Sequence, residues 1–169
     1  MIISNLGFLG QGRGWNLDNV VYSTNSKSVS TQDNIANDCF FSSDGLNMYI
    51  VGTQNDTVYQ YTVSTAWDLG STVTYASKSK DVTSQTTNAF GLFFDTTGEI
   101  MYIADRAGHI IYQYTISTAW DLGSTVTYAS KSFDTTSEEF LPSGLFFNPN
   151  GKQMYVVGNA SDTVYEYSL

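Results

Sequence analysis

Positive charge is scarce in this chain. Seven Lys and Arg stand against sixteen Asp and Glu, a formal charge of −9 over 169 residues. Binding a phosphate backbone needs clustered cations, so nucleic acid is not an expected partner. The single cysteine, Cys39, excludes an intramolecular disulfide, and the single histidine, His109, excludes a site built on two histidines of one chain. Only two prolines occur, and no window keeps apolar residues at helical spacing for three turns. No stretch is long and apolar enough to span a bilayer, so membrane insertion is not expected. The opening Met1 to Trp15 lacks a basic start and a continuous apolar run, so no secretion signal is expected. Phosphate loops, dinucleotide fingerprints, G-x-S-x-G elbows and Cys/His clusters are missing.

Aromatic residues, by contrast, make up 15% of the chain and twelve of them are Tyr. With Thr, Val and Ser crowding the stretches between glycines, this is strand composition. The residues also repeat. Tyr49, Tyr102 and Tyr155 lie 53 residues apart, as do Phe41, Phe94 and Phe147, and Tyr61, Tyr114 and Tyr167. Ser64 to Ser79 recurs unchanged as Ser117 to Ser132. A period of this size points to a propeller or a solenoid.

Within one period, Leu92 to Phe94 reads as a strand, and Asp95-Thr96-Thr97-Gly98 as a turn. Ile100 to Ala104 and Ile110 to Ile116 read as two more strands, and Thr125 to Ser130 alternates as a fourth. Four antiparallel strands in about 50 residues is the pattern of a β-propeller blade, so the expected class is all-β. Residues 20–30 align with residues 73–83, so they are expected to form a fourth strand with no blade before it. The final strand, at residues 164–169, is a third strand with no fourth after it.

The expected organisation is a flexible arm at 1–14 and a three-blade unit at 15–169. That unit divides into a donated outer strand (15–38), two repeats (39–91 and 92–144) and a partial repeat (145–169). Three blades are too few to close a ring. The expected partner is therefore another copy of the chain, joined by strand exchange between chain ends. A six-bladed dimer is preferred and a nine-bladed trimer is the alternative.

The loops that vary between repeats, those joining second to third strands and one blade to the next, are expected on one face around the channel. Candidate ligand-binding residues on that face are Asn55, Asp56, Asp105, Arg106, His109, Asn159 and Asp162. No catalytic residue, metal ligand or cofactor is assigned. His109, beside Asp105 and Arg106, is expected in a solvated turn with an ion pair. Glu138 and Glu139, near Asp134, lack the alternating spacing of a calcium loop and read as a solvated acidic turn. Cys39 occupies the position of Leu92 and Leu145 and is expected in the core. The tyrosine pairs Tyr59/Tyr61, Tyr112/Tyr114 and Tyr165/Tyr167 suit packing between blades better than a sugar platform. Trp67 and Trp120 are expected to fix the identical loops that carry them.

The stretches Gly91 to Ser117 (GLFFDTTGEIMYIADRAGHIIYQYTIS) and Gly144 to Leu169 (GLFFNPNGKQMYVVGNASDTVYEYSL) resemble blades of the YVTN/NHL-like propeller families. The resemblance covers residues 15–169. The variant carrying VYQYT-S-TAWDL is similar to repeats of marine bacterial and bacteriophage proteins, many of them virion or surface components. It implies a non-enzymatic binding or scaffolding role on a virion, with other virion proteins, cell-surface proteins or glycans as partners. A lectin-like propeller is the first alternative, and a lactonase-like hydrolase with a channel metal the second.

Overall fold

A computed structural model describes residues 21–169. The expected arm at 1–14 and the start of the expected donated segment, 15–20, lie outside the described residues. Among the described residues, eleven strands form three antiparallel sheets. The first blade is β1 (Ala36–Phe41), β2 (Asn47–Gly52), β3 (Thr57–Val63) and β4 (Val73–Asp81). The second is β5 (Ala89–Phe94), β6 (Ile100–Asp105), β7 (Ile110–Ile116) and β8 (Val126–Asp134). The third holds β9 (Pro142–Phe147), β10 (Gln153–Gly158) and β11 (Val164–Ser168). Strands follow chain order in each sheet. Between sheets, β5 packs on β1 and β2, and β9 on β5 and β6; β1, β5 and β9 each begin three residues ahead of the repeat boundary read from the sequence.

The second strand of the first blade, β2, is apolar on both faces. In β2, Tyr49 and Val51 belong to the core shared with the second blade, while Met48 and Ile50 belong to a core on the opposite face. Period-two alternation sends neighbouring residues to opposite faces, so both sets need cover. Rings join the first two blades: Phe40 packs on Phe93 and Phe94 at 5.4 Å, and Tyr49 on Phe94 at 4.5 Å. The Tyr49 hydroxyl donates to the Trp120 carbonyl at 2.6 Å. Gln60 donates to that carbonyl at 3.0 Å and accepts from the Leu122 N–H at 2.8 Å. Tyr61 and Tyr114 are fully buried, whereas Tyr59 and Tyr112, their pair mates, are half-buried.

The tryptophan loops close the far end of each full blade. Trp120 donates its backbone N–H to Gly98 at 2.9 Å, and its ring lies over that glycine. Gly98 has φ +75°, and a Cβ there would stand 2.3 Å from the ring, so both backbone and space require glycine. Gly45 and Trp67 repeat the arrangement.

Residues 21–35 form no ladder with the described residues of the same chain; the strand expected there is one donated to another copy. One expectation needs correction. Cys39 is exposed, not buried, although Leu92 at the same repeat position is in the core. Leu92 faces the first blade, whereas Cys39 faces the place where a preceding blade would stand.

Candidate functional site

The variable loops do share one face, and hydrogen bonds couple them. The linking loop and the second-to-third loop of each blade are tied by Thr53 N–H to Ile35, Arg106 N–H to Asn88 and Asn159 N–H to Leu141. Each of the first two blades also holds the linker that follows it: Val82 N–H donates to Asp56, and Thr135 N–H to His109.

Asp56, His109 and Asp162 occupy one turn position and have φ of 44°, 60° and 53°. The left-handed conformation there aims the turn's carbonyl at the following linker. The Asp56 carboxylate accepts the N–H of Ala89, the first residue of β5, at 2.8 Å. Burial raises its pKa, that hydrogen bond opposes the rise, and the charges of Asp105, Asp33 and Asp81 add to it. Asp105 serves its own turn by accepting the N–H groups of Ala107 and Gly108 at 3.2 and 3.0 Å. Asn55 bonds to Asp33 and Gln32, and Asn159 accepts from Ser143 at 3.3 Å.

The expected ion pair around His109 does not form. The His109 ring stacks on Phe140 at 3.7 Å, and Arg106 lies over Phe90 at 4.7 Å. The sole ion pair among the described residues is Lys78–Asp121. Aromatic rings of β5 and of the second linking loop, not the Asp105 carboxylate, thus receive both side chains.

Glu139 also departs from expectation. It is fully buried. One oxygen accepts from Leu141 at 2.8 Å and Ala160 at 3.0 Å, the other from Ser161 N–H at 3.3 Å and its hydroxyl at 2.6 Å. Burial opposes ionisation, but these four donors outweigh it and hold the carboxyl below its ordinary range. Asp33 fills the same place in the first blade, accepting from Ile35 and Asn55. Both side chains tie a linking loop to a second-to-third loop.

Two features escaped the sequence reading. Asp38 stands where the other repeats have Gly91 and Gly144, and it accepts from Cys39 at 2.8 Å and from Leu92 of the next blade at 2.9 Å. An acid replacing a repeat glycine was the available signal. The second feature is an open apolar groove of about 470 Å³ along the inner strands, lined by Phe40, Phe93, Phe146, Trp120, Asp38 and Pro149. Its three phenylalanines, 53 residues apart, form an edge-to-face ladder at 5.4 and 5.6 Å.

Among the described residues no three His, Cys, Asp or Glu side chains group to hold an ion, and Asp56, Asp105 and Glu139 already accept backbone N–H groups.

No protein-family model matches the chain. No curated protein matches it either. Solved structures do. A functionally unknown protein from Desulfotomaculum acetoxidans superimposes with a TM-score of 0.60 at 18% identity, over 80% of this chain and 38% of that one. The periplasmic gluconolactonase of Pseudomonas aeruginosa gives 0.58 at 14% identity, over 79% and 35%. The Swd1 β-propeller domain of Myceliophteria thermophila gives 0.54 at 13% identity, over 80% and 38%. The chain thus spans little more than a third of each of these proteins. At such identities the likeness establishes the fold alone, and the chain is three blades of a β-propeller.

Proposed function

We propose that this protein is a non-enzymatic β-propeller that serves as an interaction scaffold, carried on a bacteriophage virion or a bacterial surface. The observation that supports this most is the bracing of the variable loops. Asp33, Asp56, Asp105 and Glu139 each hold loop backbone in place. Loops braced in this way present a different set of exposed side chains on each blade while the scaffold stays constant. Such a face suits multivalent contact with other proteins.

A sugar-binding reading has one observation in its favour, the phenylalanine ladder in its open groove. Rings that are partly exposed can stack on the apolar face of a pyranose. The hydrolase reading draws only on fold likeness, and fold does not carry activity.

Turnover on a panel of lactones with added Ca²⁺, Mn²⁺ or Zn²⁺ is expected to stay at background; metal-dependent hydrolysis would overturn the scaffold reading. Mass spectrometry of density-purified virions and of surface-shaved cells should recover its peptides, and recovery from neither removes the proposed setting. A glycan array with saturable binding that is lost in Phe93→Ala would move the assignment to the sugar reading.

A further inference from the structure

Residues 21–30 lie against the first blade as β4 lies against the second. Asn25 donates to Asp68 at 3.1 Å, where Lys78 pairs with Asp121 one repeat later. The Tyr61 hydroxyl donates to Gln32 at 2.7 Å, as Tyr114 does to Gln85 at 3.2 Å. Val29 packs on the core of Met48, Ile50 and Tyr61, and Val82 packs in the core that holds Tyr114. Thr24 has φ 65°, matching Ser77 at 57° and Ser130 at 55°, the residues at the bulges of β4 and β8. The segment therefore has the placement and the bulge conformation of an outermost strand, without inner strands beside it among the described residues.

The third blade presents the complement. β3 pairs with β4, and β7 with β8, but β11 has β10 as its sole partner among the described residues. Its outer face is apolar and uncovered: Phe146 is 55% exposed and Val164 65%, whereas Val58, which corresponds to Val164, is 0% exposed in the first blade. The matching surface on the first blade is open too, with Trp67 60% exposed. Uncovered apolar faces of this kind mark an interface.

We propose that β11 takes residues 21–28 of a second copy of this chain as its outermost strand, while the third blade's free face packs on the first blade of that copy. Ring formation of this kind is independent of what the loop face binds. Applying the β3–β4 register one joint further sets Tyr167 opposite the second copy's Tyr22, Glu166 opposite its Asn25 and Tyr165 opposite its Ser26. The bulge falls at Thr24, where the backbone already carries it. Phe146 meets the second copy's Phe40, Phe41 and Trp67, as Phe40 meets Phe93, Phe94 and Trp120 within the chain. Two copies close six blades, within the four to eight that propellers commonly use. Glu166 stands where Gln60 holds the Trp120 carbonyl and the Leu122 N–H. It keeps the second bond but sets a carboxylate oxygen against the second copy's Trp67 carbonyl, which weakens the joint.

The test places a disulfide across the joint. In a Cys39→Ser background, Ser26→Cys with Tyr165→Cys is expected to give covalent multimers on oxidation, and native mass spectrometry of the unmodified protein to give two copies. Three copies with the same cross-link uphold the strand joint in a nine-bladed ring. Val164→Arg, at a position exposed in the single chain, should leave its circular dichroism unchanged and weaken assembly at least tenfold. Glu166→Gln should tighten it roughly fivefold, the effect of about one neutral hydrogen bond. A stable monomer, or an assembly in which the S26C/Y165C pair stays reduced, overturns the proposal.

Discussion

Asn25 donates its side-chain amide to Asp68 at 3.1 Å, one repeat ahead of the Lys78–Asp121 ion pair at 2.8 Å. Two sequence-distant pairs thus hold an outer segment to the tryptophan loop of the following blade by the same geometry. The first is neutral on one side, the second fully charged.

Lys78→Ala is expected to cost about 0.2–1 kcal/mol and Asn25→Lys to add a similar amount, since both pairs are partly solvated. Urea denaturation at low and high salt should show both effects shrinking as salt rises. The hydrogen bond from Lys78 lowers the pKa of Asp121. Its contribution is therefore present above the ordinary carboxylate value and lost as pH falls through the depressed one.

Removing the Glu139 carboxylate leaves four donors without a partner. Glu139→Ala is expected to cost roughly 2–4 kcal/mol and to loosen the third blade first. The folded pKa lies below the ordinary 4.5, so the wild-type bond is complete above that value and fails as pH drops further. Thermal denaturation between pH 3 and 6 should show a shallower acid loss for Glu139→Gln than for the wild type.

Gly98 and Gly151 separate a backbone effect from a steric one. Both have positive φ, but a Cβ at Gly98 meets the Trp120 ring while nothing lies within 4 Å of one at Gly151. Gly151→Ala should cost about 1–2 kcal/mol, the left-handed penalty alone. Gly98→Ala should add roughly 1–3 kcal/mol of overpacking. Chemical denaturation of the two variants side by side measures the difference.

Trp120 stacks on Phe94 at 5.6 Å and lies 6.3 Å from Tyr49, inside the joint between the first two blades. Trp120→Ala should cost about 3–5 kcal/mol. Trp67 is largely uncovered in the single chain, so Trp67→Ala should cost no more than about 1–2 kcal/mol there. Equal losses in calorimetry of dilute protein would contradict this ordering.

Strand content and order were legible in the sequence because alternation and turn chemistry are local. Ile100–Asp105 and Ile110–Ile116 fall where the pattern puts them, and the repeat made one reading serve three times. The tryptophan loops and the shared face of the variable loops followed from the same periodicity. What tertiary structure alone decided was burial and pairing across blades. A sequence position says which face of a strand a residue takes, but not whether another sheet covers that face. Leu92 is therefore in the core while Cys39, its repeat equivalent, is exposed. Glu139 reads as a solvated acid, yet it is buried because donors 21 and 22 residues downstream converge on it. Arg106 and His109 read as partners of Asp105, yet they lie on Phe90 and Phe140. Local alternation is written in neighbouring residues; cover and partnership depend on surfaces that only the packed blades bring together.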